Sequence, residues 1–205
     1  MNMKDDELNI LKDKLEISEL VRLERFWRDQ LEWDKLMDCF TEDATVCTTW
    51  FDGSAREFVD ASRDMAKRGT GAKHLISPTY ININGDRAIC ESPAEIHIRV
   101  MLDDVEADIM QYCRFYSRVR RTQVGWKIVT FEGLYQRDTL TPVNPTQNLP
   151  VDWDHINSLR PSYRFLNYVL SKGGWDIPDT RIGDDRPDLL DAFYNDANEW
   201  LESEN

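Results

Sequence analysis

The stretch Lys73–Tyr135, KHLISPTYININGDRAICESPAEIHIRVMLDDVEADIMQYCRFYSRVRRTQVGWKIVTFEGLY, decides the fold. Its first run, His74 to Ile83, ends at Asn84-Gly85-Asp86, residues that accept the positive φ of a tight hairpin turn. From Ala88 to Leu102 the pattern alternates. Ala88, Cys90, Ser92, Ala94, Ile96, Ile98 and Val100 fall on one face, with Glu91, Glu95, His97 and Arg99 on the other. Asp103-Asp104 turns the chain, Ala107 to Arg121 forms a third strand, and Gly125 opens a fourth, Trp126 to Tyr135. Strands this long must twist and curl, so the sheet is expected to close partly around whatever packs on its concave side.

Upstream, helical spacing provides that filling. Leu8, Leu11 and Leu15 lie in a charged helix, and Ile17, Leu20, Val21, Glu24, Trp27, Arg28 and Leu31 form a stronger stripe. A short helix covers Trp33 to Phe40, a β-prone run covers Thr45 to Phe51, and Ser54 caps a helix that ends near Gly69 and Gly71. Helices gathered on one side of an antiparallel sheet make an α+β fold, here a cone-like barrel over residues 1–140. After Asp138, Pro142, Pro145 and Pro150 mark a linker, and two amphipathic helices follow, Pro161–Ser171 and Pro187–Leu201. Residues 141–205 thus form a helical extension that must dock on the main domain or a neighbouring subunit.

The 205 residues carry a formal net charge of −13. That balance argues against nucleic acid and against anionic lipid as partners. Four cysteines, Cys39, Cys47, Cys90 and Cys113, show no CxxC spacing. They are read as reduced core residues, with no metal and no cofactor implied. The N-terminus lacks the apolar region of a signal peptide, and no run approaches the ~20 apolar residues of a membrane span. A cytoplasmic location is expected. No phosphate-binding glycine loop, GxSxG elbow or HExxH helix is present to support nucleotide chemistry, serine hydrolysis or zinc proteolysis.

Three segments carry a family likeness: FWRDQLEWDKLMDCFTEDATV, KHLISPTYININGDRA and VGWKIVTFEG. In order and spacing they resemble SnoaL-like proteins of the nuclear transport factor 2-like superfamily, over about residues 14–140. The resemblance implies a His–Asp pair in an apolar cone, used by dehydratases and a dehydrochlorinase of this kind. By motif the pair is His74 and Asp29, with His97 loosely matching a second histidine. Dehydratases of the family carry tyrosines where this chain has Glu24 and Arg28, and another near Thr48.

Each candidate has a plainer structural role beside the functional one. His74 is a general base, or a strand-start histidine bonded to backbone. Asp29 orients it, or caps a turn. Glu24 and Arg28, i and i+4 on an apolar stripe, form a rim salt bridge or an acid and anion anchor inside the cone. His97 shares parity with the polar face unless a bulge at Pro93 reverses it. Tyr112 and its strand mates line the pocket or a wet outer surface, and Glu132 and Trp27 complete the substrate-binding set. The expected activity is a cofactor-independent lyase or isomerase acting on a small hydrophobic, cyclic substrate. The alternatives are a non-catalytic binding or interaction module and a small subunit of a ring-hydroxylating oxygenase. A homodimer or homotrimer is expected, paired through the convex sheet face.

Overall fold

The first helix, α1, runs from Met3 to Asp29 in a computed structural model that describes residues 3–69 and 71–203. Its N-terminal half projects, with Leu8, Leu11 and Leu15 exposed. Asp13 anchors it to Arg121 and to the Trp126 indole. Its C-terminal half is buried through Ile17, Val21, Glu24, Arg25 and Arg28. Helix α2 (Trp33–Met37) turns back against it. Strands β1 (Phe40–Cys47) and β2 (Asp52–Ser54) follow. Helix α3 (Ala55–Lys67) starts on a reciprocal cap between Ser54 and Glu57 and buries Phe58, Val59 and Met65.

The remaining strands are β3 (Ala72–Ile76), β4 (Tyr80–Asn84), β5 (Arg87–Leu102), β6 (Val105–Thr122) and β7 (Gly125–Pro142). The sheet order is β2-β1-β7-β6-β5-β3, with β4 also on β5. The expected α+β architecture is present: a curved sheet around the N-terminal helices, with a helical extension. Several details differ from the sequence reading, among them a β1 that starts at Phe40 and ends at Cys47. The run His74–Ile83 is two strands, because Pro78 lacks the N–H a ladder needs; Ser77 instead donates to the Pro93 carbonyl at 2.9 Å. Strand β1 joins β7 in parallel, so the sheet is mixed rather than wholly antiparallel. Strand β7 continues to Pro142, into the segment read as linker.

Register decides which side chains face inward. Strands β5 and β6 pair without a shift from Arg87↔Arg120 to Leu102↔Val105, so no bulge forms at Pro93. Between β6 and β7 there are two shifts, which leave Val129 and Gln136 as extra residues on β7. The inward set on β7 therefore changes from Trp126 and Ile128 to Phe131, Gly133 and Tyr135.

The extension divides between the two sides of the sheet. A short helix that the sequence reading lacks, α4 (Trp153–Ser158), packs on α5 (Arg164–Lys172). From α5, Leu166 and Leu170 enter the main core, while Phe165 and Val169 pack on Leu102, Ala107, Ile109 and Leu140. Helix α6 (Pro187–Glu202) lies on the outer face, with Phe193, Tyr194, Ala197 and Leu201 against Ile89, Tyr116 and Leu134. Part of the convex face on which self-association was expected is thus covered by the chain itself. Leu201→Ala is expected to cost about 2–4 kcal/mol by removing a buried side chain from this seam. Urea unfolding should show a lower midpoint at an unchanged slope; an unchanged midpoint would mean that α6 is not part of the cooperative unit.

Candidate active site

Helix α1 and strand β3 bring two titratable residues together. Asp29 ends α1 and His74 sits at the centre of β3. One Asp29 oxygen accepts the His74 backbone N–H at 2.7 Å, and the other lies 2.7 Å from His74 Nδ1. The His74 side chain is buried, at 3% exposure, and that of Asp29 is 10% exposed. Burial pushes the Asp29 carboxyl up, but the hydrogen bonds from His74 outweigh it and hold the carboxylate below its ordinary range. Burial drives the His74 imidazole down to about 4; Asp29 opposes this, while Arg25 and Arg28 add to it. At neutral pH the pair is a carboxylate and a neutral imidazole. Nδ1 donates to Asp29, which leaves Nε2 as the nitrogen able to accept a proton.

His74 lines a cavity with Arg25, Arg28, Thr48, Trp50, Phe115 and Tyr135, closed by Leu166 and Leu170 of α5. Asp29 lies behind, in a shallow outer groove with Lys73 and Arg22, and so holds the imidazole from outside. The cavity is small, about 40 Å³, where a single water needs about 10–15 Å³. A neighbouring cleft of about 520 Å³ shares Met65, Ile98, Leu166 and Leu170 with it. Those four side chains form the wall between outer cleft and inner cavity. A ring-sized occupant requires that wall to move.

The charges on α1 pair differently from the i, i+4 expectation. Glu24, fully buried, takes the guanidinium of its neighbour Arg25 in a two-point contact, not that of Arg28. Arg25 also stacks 4.3 Å from the Phe131 ring, with Phe58 and Phe115 each at 5.5 Å. Arg28 enters the cavity beside it, and its Nε donates to Ser62 Oγ at 3.3 Å. Burial lowers Arg28 to about 10, with a further push from Arg25, while Asp29 and Glu24 oppose it from a distance. It remains a cation at neutral pH.

Of the residues singled out from sequence, His74, Asp29 and Arg28 converge, and Glu24 stands behind Arg25. The others lie elsewhere. Trp27 packs outside the cavity, against Phe26 and under Lys35 Nζ at 4.6 Å. His97 is 41% exposed on the outer face and bonds Glu95 at 2.8 Å, because the register is unbroken at Pro93. Tyr112 faces outward too, 4.7 Å from the Arg137 guanidinium. Glu132 points outward because the extra residue at Val129 reverses strand parity; burial beside Cys47 pushes it up to about 7. Among the lining residues missed, two bear on the chemistry. Arg25 follows the spacing Val21, Arg25, Arg28 of one helical face, a signal that was available. Tyr135 was hidden by the extra residue at Val129; its hydroxyl accepts the Thr49 N–H at 2.7 Å. Gly133 leaves room for that ring, since a Cβ there would meet the Tyr135 hydroxyl at 2.6 Å.

Among the described residues no group of three or more His, Cys, Asp or Glu side chains is placed to hold a metal ion, and no helix is long and apolar enough to cross a membrane. With this geometry in hand, the family model for the SnoaL-like domain matches residues 9–132. The chain belongs to the SnoaL-like family. Pea pathogenicity protein 2 of Fusarium vanettenii is 30% identical over 202 residues, 94% of this chain and 87% of that protein. Hexachlorocyclohexane dehydrochlorinase LinA-type3 of Novosphingobium barchaimii LL02 shares the fold at a TM-score of 0.58 and 14% identity, covering 71% of this chain and 99% of its own. A candidate scytalone dehydratase of Novosphingobium aromaticivorans DSM 12444 does so at 0.53 and 19%, covering 73% and 97%.

Two outcomes check this SnoaL-like site. Glu24→Ala strands the buried Arg25 charge and is expected to destabilise the fold by about 3–5 kcal/mol in denaturant titration; a loss below about 1 kcal/mol would contradict the pairing. His74 is expected to titrate near 4 in a ring-carbon NMR titration. Because the unfolded ring takes its proton near pH 6.5, the stability that neutral His74 provides is complete above that value. It is lost as pH falls from there towards 4. A midpoint above pH 6 would show that the ring is not held neutral by burial.

Proposed function

We propose that this SnoaL-like protein is a cofactor-independent lyase or isomerase that uses His74 as general base on a small hydrophobic, cyclic carbonyl substrate. The observation that carries the reading is the doubly bonded Asp29–His74 pair at the wall of a small, largely apolar cavity. Nε2 takes a proton from the carbon next to the carbonyl, and Asp29 stabilises the imidazolium that forms. The electron pair moves onto the carbonyl oxygen, where Arg28 can receive the charge. A lyase then expels a leaving group from the adjacent carbon as the enolate collapses. An isomerase returns the proton from His74 to a different carbon. The dehydrochlorinase and candidate scytalone dehydratase of this fold support the lyase class. Residues 1–140 act as the catalytic unit and 141–205 as its cover. A cytoplasmic setting, with Cys39, Cys47, Cys90 and Cys113 reduced, and assembly as a homodimer or homotrimer belong to the same proposal.

A second reading, a non-catalytic small-molecule-binding module, is favoured by the narrowness of the cavity and by Glu24, Arg28 and Thr48 standing where family dehydratases carry tyrosines. Hydrogen–deuterium exchange in D₂O separates the two. Wild-type protein is expected to accelerate α-proton exchange of at least one compound in a panel of cyclic ketones. His74→Gln should lower that rate by about 10²-fold or more. A ligand that binds without exchange would favour the module, and exchange that survives His74→Gln would rule out His74 as the base.

A further inference from the structure

Two guanidiniums line the cavity, and only one has a carboxylate of the protein in direct contact. Arg25 is held by Glu24 and boxed by aromatic rings. Arg28, only 8% exposed, has a hydroxyl at 3.3 Å, the Met65 sulfur at 4.0 Å, and the Trp50 and Phe58 rings at 5.8 and 5.6 Å. None of these carries a formal charge. The carboxylates beside it are committed elsewhere: Glu24 to Arg25, and both Asp29 oxygens to His74. Among the described residues no carboxylate comes within ion-pair distance of Arg28. A buried cation with no carboxylate in contact, compensated only from a distance by Asp29 and Glu24, is costly to keep, and this one is placed in the same cavity as the base.

We infer that the natural occupant of the cavity is a small, mostly apolar organic carboxylate, whose anionic group pairs with the Arg28 guanidinium. The inference deepens the lyase or isomerase proposal and rests on it for treating the cavity as a substrate site. The planar fork of Arg28, whose Nε is given to Ser62, still offers its two Nη groups, enough for a carboxylate and for the oxygen of a carbonyl beside it. Phe115 and Ile96 provide an apolar wall for the body of the molecule, and the carboxylate fixes which carbon meets His74. Sequestered from water, the pairing discriminates strongly against a neutral isostere, because an amide cannot answer the buried charge.

The test uses the full chain with acetate and benzoate against their neutral amides, acetamide and benzamide, at constant ionic strength. Readouts are Tm and the indole N–H signals in ¹H–¹⁵N spectra, where Trp50 reports on the cavity. The carboxylates are expected to bind at least about tenfold tighter than the amides. Arg28→Gln should remove that preference. His74→Gln should keep it while losing proton exchange, so loss of catalysis and loss of anion recognition are read separately. The inference is overturned if amide and acid bind alike, if neither carboxylate binds, or if Arg28→Gln binds benzoate as wild type does. Should Arg28→Gln not fold, the acid–amide comparison on wild type decides alone.

Discussion

Both oxygens of Asp29 are spent on one residue, the backbone and ring nitrogens of His74. That double contact ties the end of α1 to the edge strand β3. It also fixes the ring orientation and selects the nitrogen that faces an occupant. A carboxylate at a frayed helix end would not hold such geometry. Here the buried half of α1 is locked by Ile17 and Val21 on the core side and by the Glu24–Arg25 pair beneath the rings of Phe58, Phe115 and Phe131. The rigidity of the site thus derives from hydrophobic packing around a fully satisfied ion pair, and a buried pair of this kind specifies position more than it adds stability.

The sheet contributes shape. The uninterrupted β5–β6 register keeps Ile96 and Phe115 inside and sends His97 and Tyr112 outside. The extra residue at Val129 on β7 turns Tyr135 inward and Glu132 outward. The extension then closes what the sheet leaves open. Leu166 and Leu170 of α5 form part of the wall between cavity and outer cleft, and α6 covers the back of the sheet. Opening at α5 or Met65 is the motion that would admit a ring, since these side chains separate about 40 Å³ inside from about 520 Å³ outside.

Much of this was legible in the chain. The period-two pattern of Ala88–Val100 and the turn signal at Asn84-Gly85 determine the meander, and motif order joined His74 to Asp29 across 45 positions. What escaped was whatever depends on a break in periodicity. The extra residue at Val129 has no composition signature, so strict alternation misassigned Glu132 and hid Tyr135. Pro78 did carry a signal for the strand break, as did the helical spacing that places Arg25 beside Arg28. The choice of Arg25 over Arg28 as the partner of Glu24 was not readable, because adjacent and i+4 side chains compete and the outcome depends on which ring the guanidinium stacks upon.

The account depends most on the proton of the His74 ring. A two-bond ¹H–¹⁵N correlation spectrum of wild-type protein at pH 7 resolves which nitrogen bears it. The Nδ1–H tautomer, lost or redistributed in Asp29→Asn, is the result predicted from the 2.7 Å contact. An Nε2–H ring, with Nδ1 bare against the carboxylate, would contradict it.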